Sequence, residues 1–146
     1  MDKSSWGEGP WANEPDHVEF EVEGFPCIAH RAEITGSWCG YVAVPPGHPW
    51  HGQGYGAIDT ANVHGGLTYS AKCSERVCHV PKPGESDDVW WLGFDCGHGC
   101  DFSPAIYALV KGITPDSECS YKDLQYITSE IKVLAKEAKE VMSNAT

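Results

Sequence analysis

The stretch that most restricts the fold is Asp88 to Asp101, Asp-Val-Trp-Trp-Leu-Gly-Phe-Asp-Cys-Gly-His-Gly-Cys-Asp. Its apolar half has the length of a strand and empties into a glycine-spaced loop carrying two aspartates, two cysteines and a histidine. Side chains alternate along a pleated chain, so Trp90 and Phe94 fall on one face and Trp91 on the other. A strand that is apolar on both faces needs cover on both, which predicts a central place in a sheet. From Asp95 onward the chain then presents polar groups at the rim of a hydrophobic layer, and a site is expected there.

The remaining elements can be read around that strand. His17 to Glu23 alternates, with Val18, Phe20 and Val22 apolar and Glu19, Glu21 and Glu23 polar, which predicts a half-buried antiparallel strand. Gly24 turns the chain and Phe25 to Arg31 returns as its hairpin partner. Trp38 to Val44 predicts a further strand, ended by Pro45-Pro46-Gly47, which cannot continue a ladder. Leu67 to Ala71 resumes strand character, and Val77 to Val80 reads as a short edge strand. Ser103-Pro104 suits the N-cap and first residue of a short helix over Ala105 to Val110.

Ser120-Tyr-Lys-Asp123 resembles a capping box ahead of Leu124, Ile127, Ile131, Leu134, Ala138 and Val141, whose spacings of three and four predict an amphipathic helix of about six turns. The expected fold class is α+β, a mostly antiparallel sheet of roughly five or six strands covered on one face by this long C-terminal amphipathic helix, with long loops at one end. The helical seam could instead pair with its copy in a homodimer. Residues 1–16 are expected to form a flexible arm, into which Trp6 and Trp11 bring some capacity to dock, and 17–146 a single α+β domain.

Composition narrows the partners. With 146 residues and a formal net charge of −11, the chain lacks the clustered cations that neutralise phosphates, since its only arginines are Arg31 and Arg76. A nucleic-acid polymer or an anionic membrane surface is therefore not expected, and no apolar run approaches the ~20 residues of a membrane helix. No basic and apolar leader is read at the amino terminus, and the seven cysteines, an odd number, are read as reduced thiols, so a cytoplasmic location is expected.

Three clusters could carry chemistry. In Asp95-Cys-Gly-His-Gly-Cys-Asp101, Asp95 and His98 offer oxygen and nitrogen donors three residues apart, in a loop whose glycines allow both to turn inward. Such a pair could ligate a divalent ion or serve as acid and base; equally, Asp95 could accept amide hydrogens and Asp101 cap the next helix. In Val63-His-Gly-Gly-Leu-Thr-Tyr69, the His64-Gly65-Gly66 turn exposes successive amides suited to an anion, or is simply a turn. In Gly47 to Tyr55, His48, Trp50 and Tyr55 could hold and stack a planar base, or pack an Ω-like loop. Cys73-x4-Cys78-His79 could form half of a zinc site, but Cys73 and Cys78 are read as ordinary buried thiols. His17-Val-Glu19 with Pro26-Cys27 lacks the spacing of a zinc deaminase, and no P-loop, Gly-x-Ser-x-Gly, His-Glu-x-x-His or dinucleotide fingerprint is present.

The ordered set formed by Cys39-Gly-Tyr41 with the Val-Pro-Pro-Gly-His run ending at His48, Val63 to Tyr69, Trp90-Trp-Leu-Gly-Phe-Asp-Cys96 and Tyr121-Lys-Asp-Leu-Gln-Tyr126 resembles a group of small phage-encoded and prophage-encoded proteins of unassigned function. Residues 38 to 140 carry the resemblance, which brings no established activity. Its pattern commonly has glycine where this chain has Cys100, which leaves Asp95, His98 and Asp101 as the loop's candidates. By analogy with phage proteins that act on host nucleotide immune signals, the expected function is binding of a small nucleotide-like ligand by sequestration. His64, Asp95, His98 and Asp101 would build its pocket with His48, Trp50, Tyr55, Gly65, Gly66 and Tyr69. The first alternative is a hydrolase in which His64, Asp95 and His98 hold zinc or another divalent metal that activates water. The second is an acidic protein inhibitor of a host enzyme.

Overall fold

Period-two alternation does in space what it does in the chain. In the computed structural model, which describes residues 1–110 and 119–145, β1 (His17–Val22) turns Val18, Phe20 and Val22 toward the larger core and Glu19 and Glu21 away from it. Glu23 and Gly24 both sit in left-handed backbone, φ 55° and 82°, the two-residue turn that matches strand twist, and β2 (Phe25–Arg31) returns in register with Val22 opposite Phe25. With β3 (Trp38–Val44), β4 (Tyr69–Lys72) and β5 (Trp90–Asp95) they form one five-stranded antiparallel sheet in the order β1-β2-β3-β5-β4. β5 is interior as its composition requires, and Trp91, Leu92 and Phe94 are sealed from solvent. Val77 to Val80 makes no strand. It contributes one bridge, Ser74 to Val77, in a tight turn whose ends are joined by a Cys73–Cys78 disulfide. The expectation of reduced thiols fails for this pair, because the turn brings their Cα atoms to 4.6 Å, within disulfide reach.

Two helices follow, α1 (Pro104–Leu109) and α2 (Leu124–Asn144). The α2 seam of Ile127, Ile131, Leu134, Ala135 and Ala138 is buried against β1 to β3, so the stripe that could have met a copy faces the sheet. Each large aliphatic in it contributes roughly 1.5–3 kcal/mol. The cap is one turn later than the motif suggests. Asp123, not Ser120, accepts the Tyr126 amide at 2.8 Å, while the Ser120 backbone pairs with residues 100 to 102. Ser103 and Pro104 hold the N-cap and first helical positions of α1 as expected, but the Ser103 hydroxyl meets that of Ser37 at 3.1 Å instead of a helix amide.

Residues 1–16 are not a detached arm. They form 3-10 turns at Ser4–Trp6 and Pro10–Asn13, with Trp11 buried in a stack on Phe102 and Glu14 and Asp16 reaching the buried Arg31. The smaller core, Ile28, Ala43, Val77, Val89 and Trp91, lies on the sheet face away from α2.

Gly40 on β3 sets how closely α2 can approach. A Cβ there would lie 2.7 Å from the Phe94 ring and 2.8 Å from Ile131. Gly40→Ala is expected to cost about 1–3 kcal/mol by overpacking, read as a lower urea midpoint at unchanged m-value.

His48 is structural. Its Nδ1 accepts the Trp50 amide at 2.9 Å, so the proton is on Nε2, which donates to the Ala138 carbonyl at 2.8 Å. Burial, helped by nearby His51, holds it below the ordinary histidine range despite that helix carbonyl. A group depressed in the fold stabilises fully above its unfolded pKa near ~6.5 and loses that contribution as pH falls through its folded value. Stability is therefore expected to decline as pH falls below about 6.5. His48→Gln should flatten that slope in urea melts taken between pH 8 and pH 5.

Candidate functional site

Three chain segments converge where β5 ends. The Val63 to Gly66 turn closes through a Gly66 amide to Val63 carbonyl bond of 2.8 Å and is pinned by two α2 carboxylates. Glu130 accepts the His64 amide and Glu137 that of Asn62, both at 2.9 Å. The loop after β5 turns back on itself through the Asp101 amide and His98 carbonyl, 2.9 Å. The first turn of α2 supplies Tyr126.

The outcome is an ordered array. His64 Nε2 lies 2.8 Å from Asp101 Oδ2, and His64 Nδ1 lies 2.7 Å from the Tyr126 hydroxyl. The ionised Asp101 can only accept, so Nε2 carries the imidazole proton and Nδ1 receives the Tyr126 O–H. The Asp101 side chain is 3% exposed; it also accepts the His98 amide at 3.1 Å and faces Lys122 Nζ at 3.6 Å. Burial, then Glu130, Cys96 and Asp101, holds the Tyr126 phenol above its ordinary value, so at neutral pH it donates.

The other expected residues divide. Asp95 organises the loop: Oδ1 accepts the Gly97 amide at 2.9 Å and Oδ2 the Thr68 hydroxyl at 3.1 Å. His98 Nε2 stands 3.6 Å from Asp95 Oδ1, beyond hydrogen-bond range, and its ring lies 5.8 Å from that of His64. That ring occupies the space a Gly65 side chain would need, and Gly65 and Gly66 have φ 69° and 77°, so glycine is required at 65 on two counts. Asp101 caps no helix; its carboxylate is engaged by His64, the His98 amide and Lys122.

His48 and Trp50 are buried in the core and away from this cluster, because the Pro45 to Trp50 segment folds onto α2. Tyr55 is exposed in a 3-10 turn, Tyr55–Ala57, with its amide on Ser70. Tyr69 packs on Tyr41 beside the smaller core. The stacking aromatics expected for a planar base are thus not gathered here.

Nor do His64, Asp95 and His98 fit as a metal set. Both ring nitrogens of His64 are engaged, Asp95 uses both oxygens within its loop, and among the described residues no group of three or more His, Cys, Asp or Glu side chains is placed to hold an ion. The buried thiols are disfavoured as thiolates, since burial pushes Cys39 up to about 11, Cys27 up to about 12 and Cys96 higher. On its other side Asp101 borders a cleft of about 430 Å³ with Gly97, Gly99, Ser103 and Tyr107.

Tyr126, Glu130 and Lys122 also border the cluster, although none was among the site residues expected from the sequence. Their signal was present: Tyr126, Glu130 and Glu137 recur at four and seven residues, one polar line beside the apolar seam of α2. Set against known proteins, the chain matches no family model, no curated protein and no solved structure.

Proposed function

We propose that Asp101, His64 and Tyr126 form a proton relay acting on a small polar ligand, with nucleotide-like phosphoesters as its first class. One observation carries the reading: an unbroken hydrogen-bonded chain of 2.8 and 2.7 Å from a buried carboxylate through an imidazole to a half-buried phenol. A water or ligand hydroxyl that donates to the Tyr126 oxygen can hand over its proton while Tyr126 passes its own to His64 Nδ1. The imidazolium then faces Asp101, which stabilises it. The oxygen so activated attacks the phosphorus, the ester P–O bond breaks to release an alkoxide that takes up a proton, and the imidazolium gives its proton back through Tyr126 to solvent. Lys122, whose Nζ lies 5.5 Å from the Tyr126 ring centre, supplies positive charge beside it.

Hydrolysis is favoured over sequestration, because a passive binder has no use for a base backed by a carboxylate. In the phage-type setting the protein would work in the host cytoplasm on nucleotide signals. The test is incubation with cyclic dinucleotides and ADP-ribose derivatives, with and without chelator, followed by heat denaturation and chromatography. New products that persist in chelator and vanish in Tyr126→Phe are expected. Intact ligand released only by heat would turn the reading to sequestration, and neither product nor bound ligand would end it.

A further inference from the structure

On the sheet face away from α2, two histidines of neighbouring strands meet head on. We infer that His17 and His30 form a binding site for a divalent transition-metal ion, of the Cu²⁺ or Ni²⁺ kind. The two residues are direct partners across β1 and β2, so both side chains rise from one face, and their Nδ1 atoms are 3.0 Å apart.

The surrounding groups define the protons. Glu19 accepts, so His17 Nε2, 3.1 Å away, carries a hydrogen. Arg76 can only donate, so His30 Nε2, at 3.4 Å from Nη1, presents a lone pair. His30 therefore holds its proton on Nδ1 and donates it to the bare Nδ1 of His17. His17 is already in the tautomer that ligates a metal, oriented by a carboxylate on its far nitrogen, the arrangement that strengthens histidine ligands. His30 needs one change: its proton moves from Nδ1 to Nε2 as Arg76, whose side chain is 60% exposed, turns away. No proton leaves the pair.

Geometry selects the ion. At metal–nitrogen distances of roughly 2.0–2.1 Å, two donors 3.0 Å apart subtend about a right angle, the cis angle of square-planar or octahedral ions and narrower than a tetrahedron. Water would complete the shell. The net charge of −11 favours cation capture.

The full chain, stripped with chelator and dialysed, is titrated by calorimetry with CuSO₄, NiCl₂ and ZnCl₂. One saturable site is expected, ordered copper, nickel, zinc, with Kd below about 1 mM for the first two. His17→Asn and His30→Asn should each abolish it, Glu19→Gln should weaken it by about 10–100-fold, and His51→Asn should leave it unchanged. Melting in chelator shows whether the two histidine variants keep the fold, and Arg76→Met, which removes the competing cation without touching a ligand, should tighten binding. Wild-type affinity retained in the folded double histidine variant, or no saturable binding by the native chain, overturns the site.

Discussion

Arg31→Met is expected to lower folding stability by about 3–5 kcal/mol, because it removes the buried cation of a charge network, leaving Glu14 without a charged partner and Asp16 with only Lys3 and the amino terminus. The Arg31 side chain is 0% exposed. Its Nε donates to Asp16 at 2.8 Å, Nη2 to Glu14 at 3.1 Å, and Nη1 to the Gly36 carbonyl at 2.7 Å and the Tyr121 hydroxyl at 2.8 Å, while the guanidinium lies 4.6 Å from the Trp38 ring centre. Lysine cannot replace this planar fork. Glu14 in turn accepts from Tyr121 and from the Leu124 amide at 2.6 Å, so one guanidinium ties the amino-terminal turns to the start of α2.

The variant should lose urea resistance and become open to protease between residues 1 and 16. Exchanging Glu14 and Asp16 for their amides in the same chain should restore part of the loss, since it removes the stranded charges. Asp16 also fixes a pH limb. Burial would lift its pKa, but hydrogen bonds from Lys3 and Arg31 outweigh that and hold it below the ordinary range. Its contribution is complete above an unfolded pKa near ~3.9 and disappears as pH falls through the lower folded value, well below the histidine limb.

Asp101→Asn is the second large change, and it falls on the proposed relay. The amide matches the carboxylate in size but brings no charge to face an imidazolium. If its nitrogen turns toward His64, the ring must offer Nε2 as acceptor and carry its proton on Nδ1, which then donates to Tyr126 and is no longer a base. Turnover is expected to fall by about 10³–10⁴-fold, the scale seen when an orienting carboxylate is lost from a triad. Stability should drop by about 1–3 kcal/mol as the His98 amide and His64 lose their charged acceptor. Imidazole ¹⁵N shifts report the His64 tautomer directly: Nε2–H in the native chain, and a shift toward Nδ1–H in the variant. An unchanged tautomer with unchanged turnover would remove Asp101 from the relay.

Local periodicity carried much of the fold. The strict alternation of residues 17 to 23, the apolar run into Asp95 and the three-and-four spacing from Leu124 each became the element expected, because each pattern is a one-dimensional record of which face is buried. Where a residue's partner came from far along the chain, the reading failed. Ser120 looked like a cap, yet its backbone was claimed by Cys100 and Phe102. The first 16 residues looked unanchored because Arg31 and Phe102, which hold them, have no local signature.

The same division runs through the site. Sequence alone determined that imidazole, carboxylate and glycine would gather at the end of an interior strand, since strand length and glycine spacing are local properties. Which of them touch was decided only by tertiary structure. The register of β5 and the rotation of α2 about its buried seam bring Tyr126 to His64 and seat Asp101 behind it, while His48 and Trp50 turn inward. A shift of one residue in a strand, or of one position around a helix, redirects every side chain on it, so that choice belongs to the packed core and not to the motif.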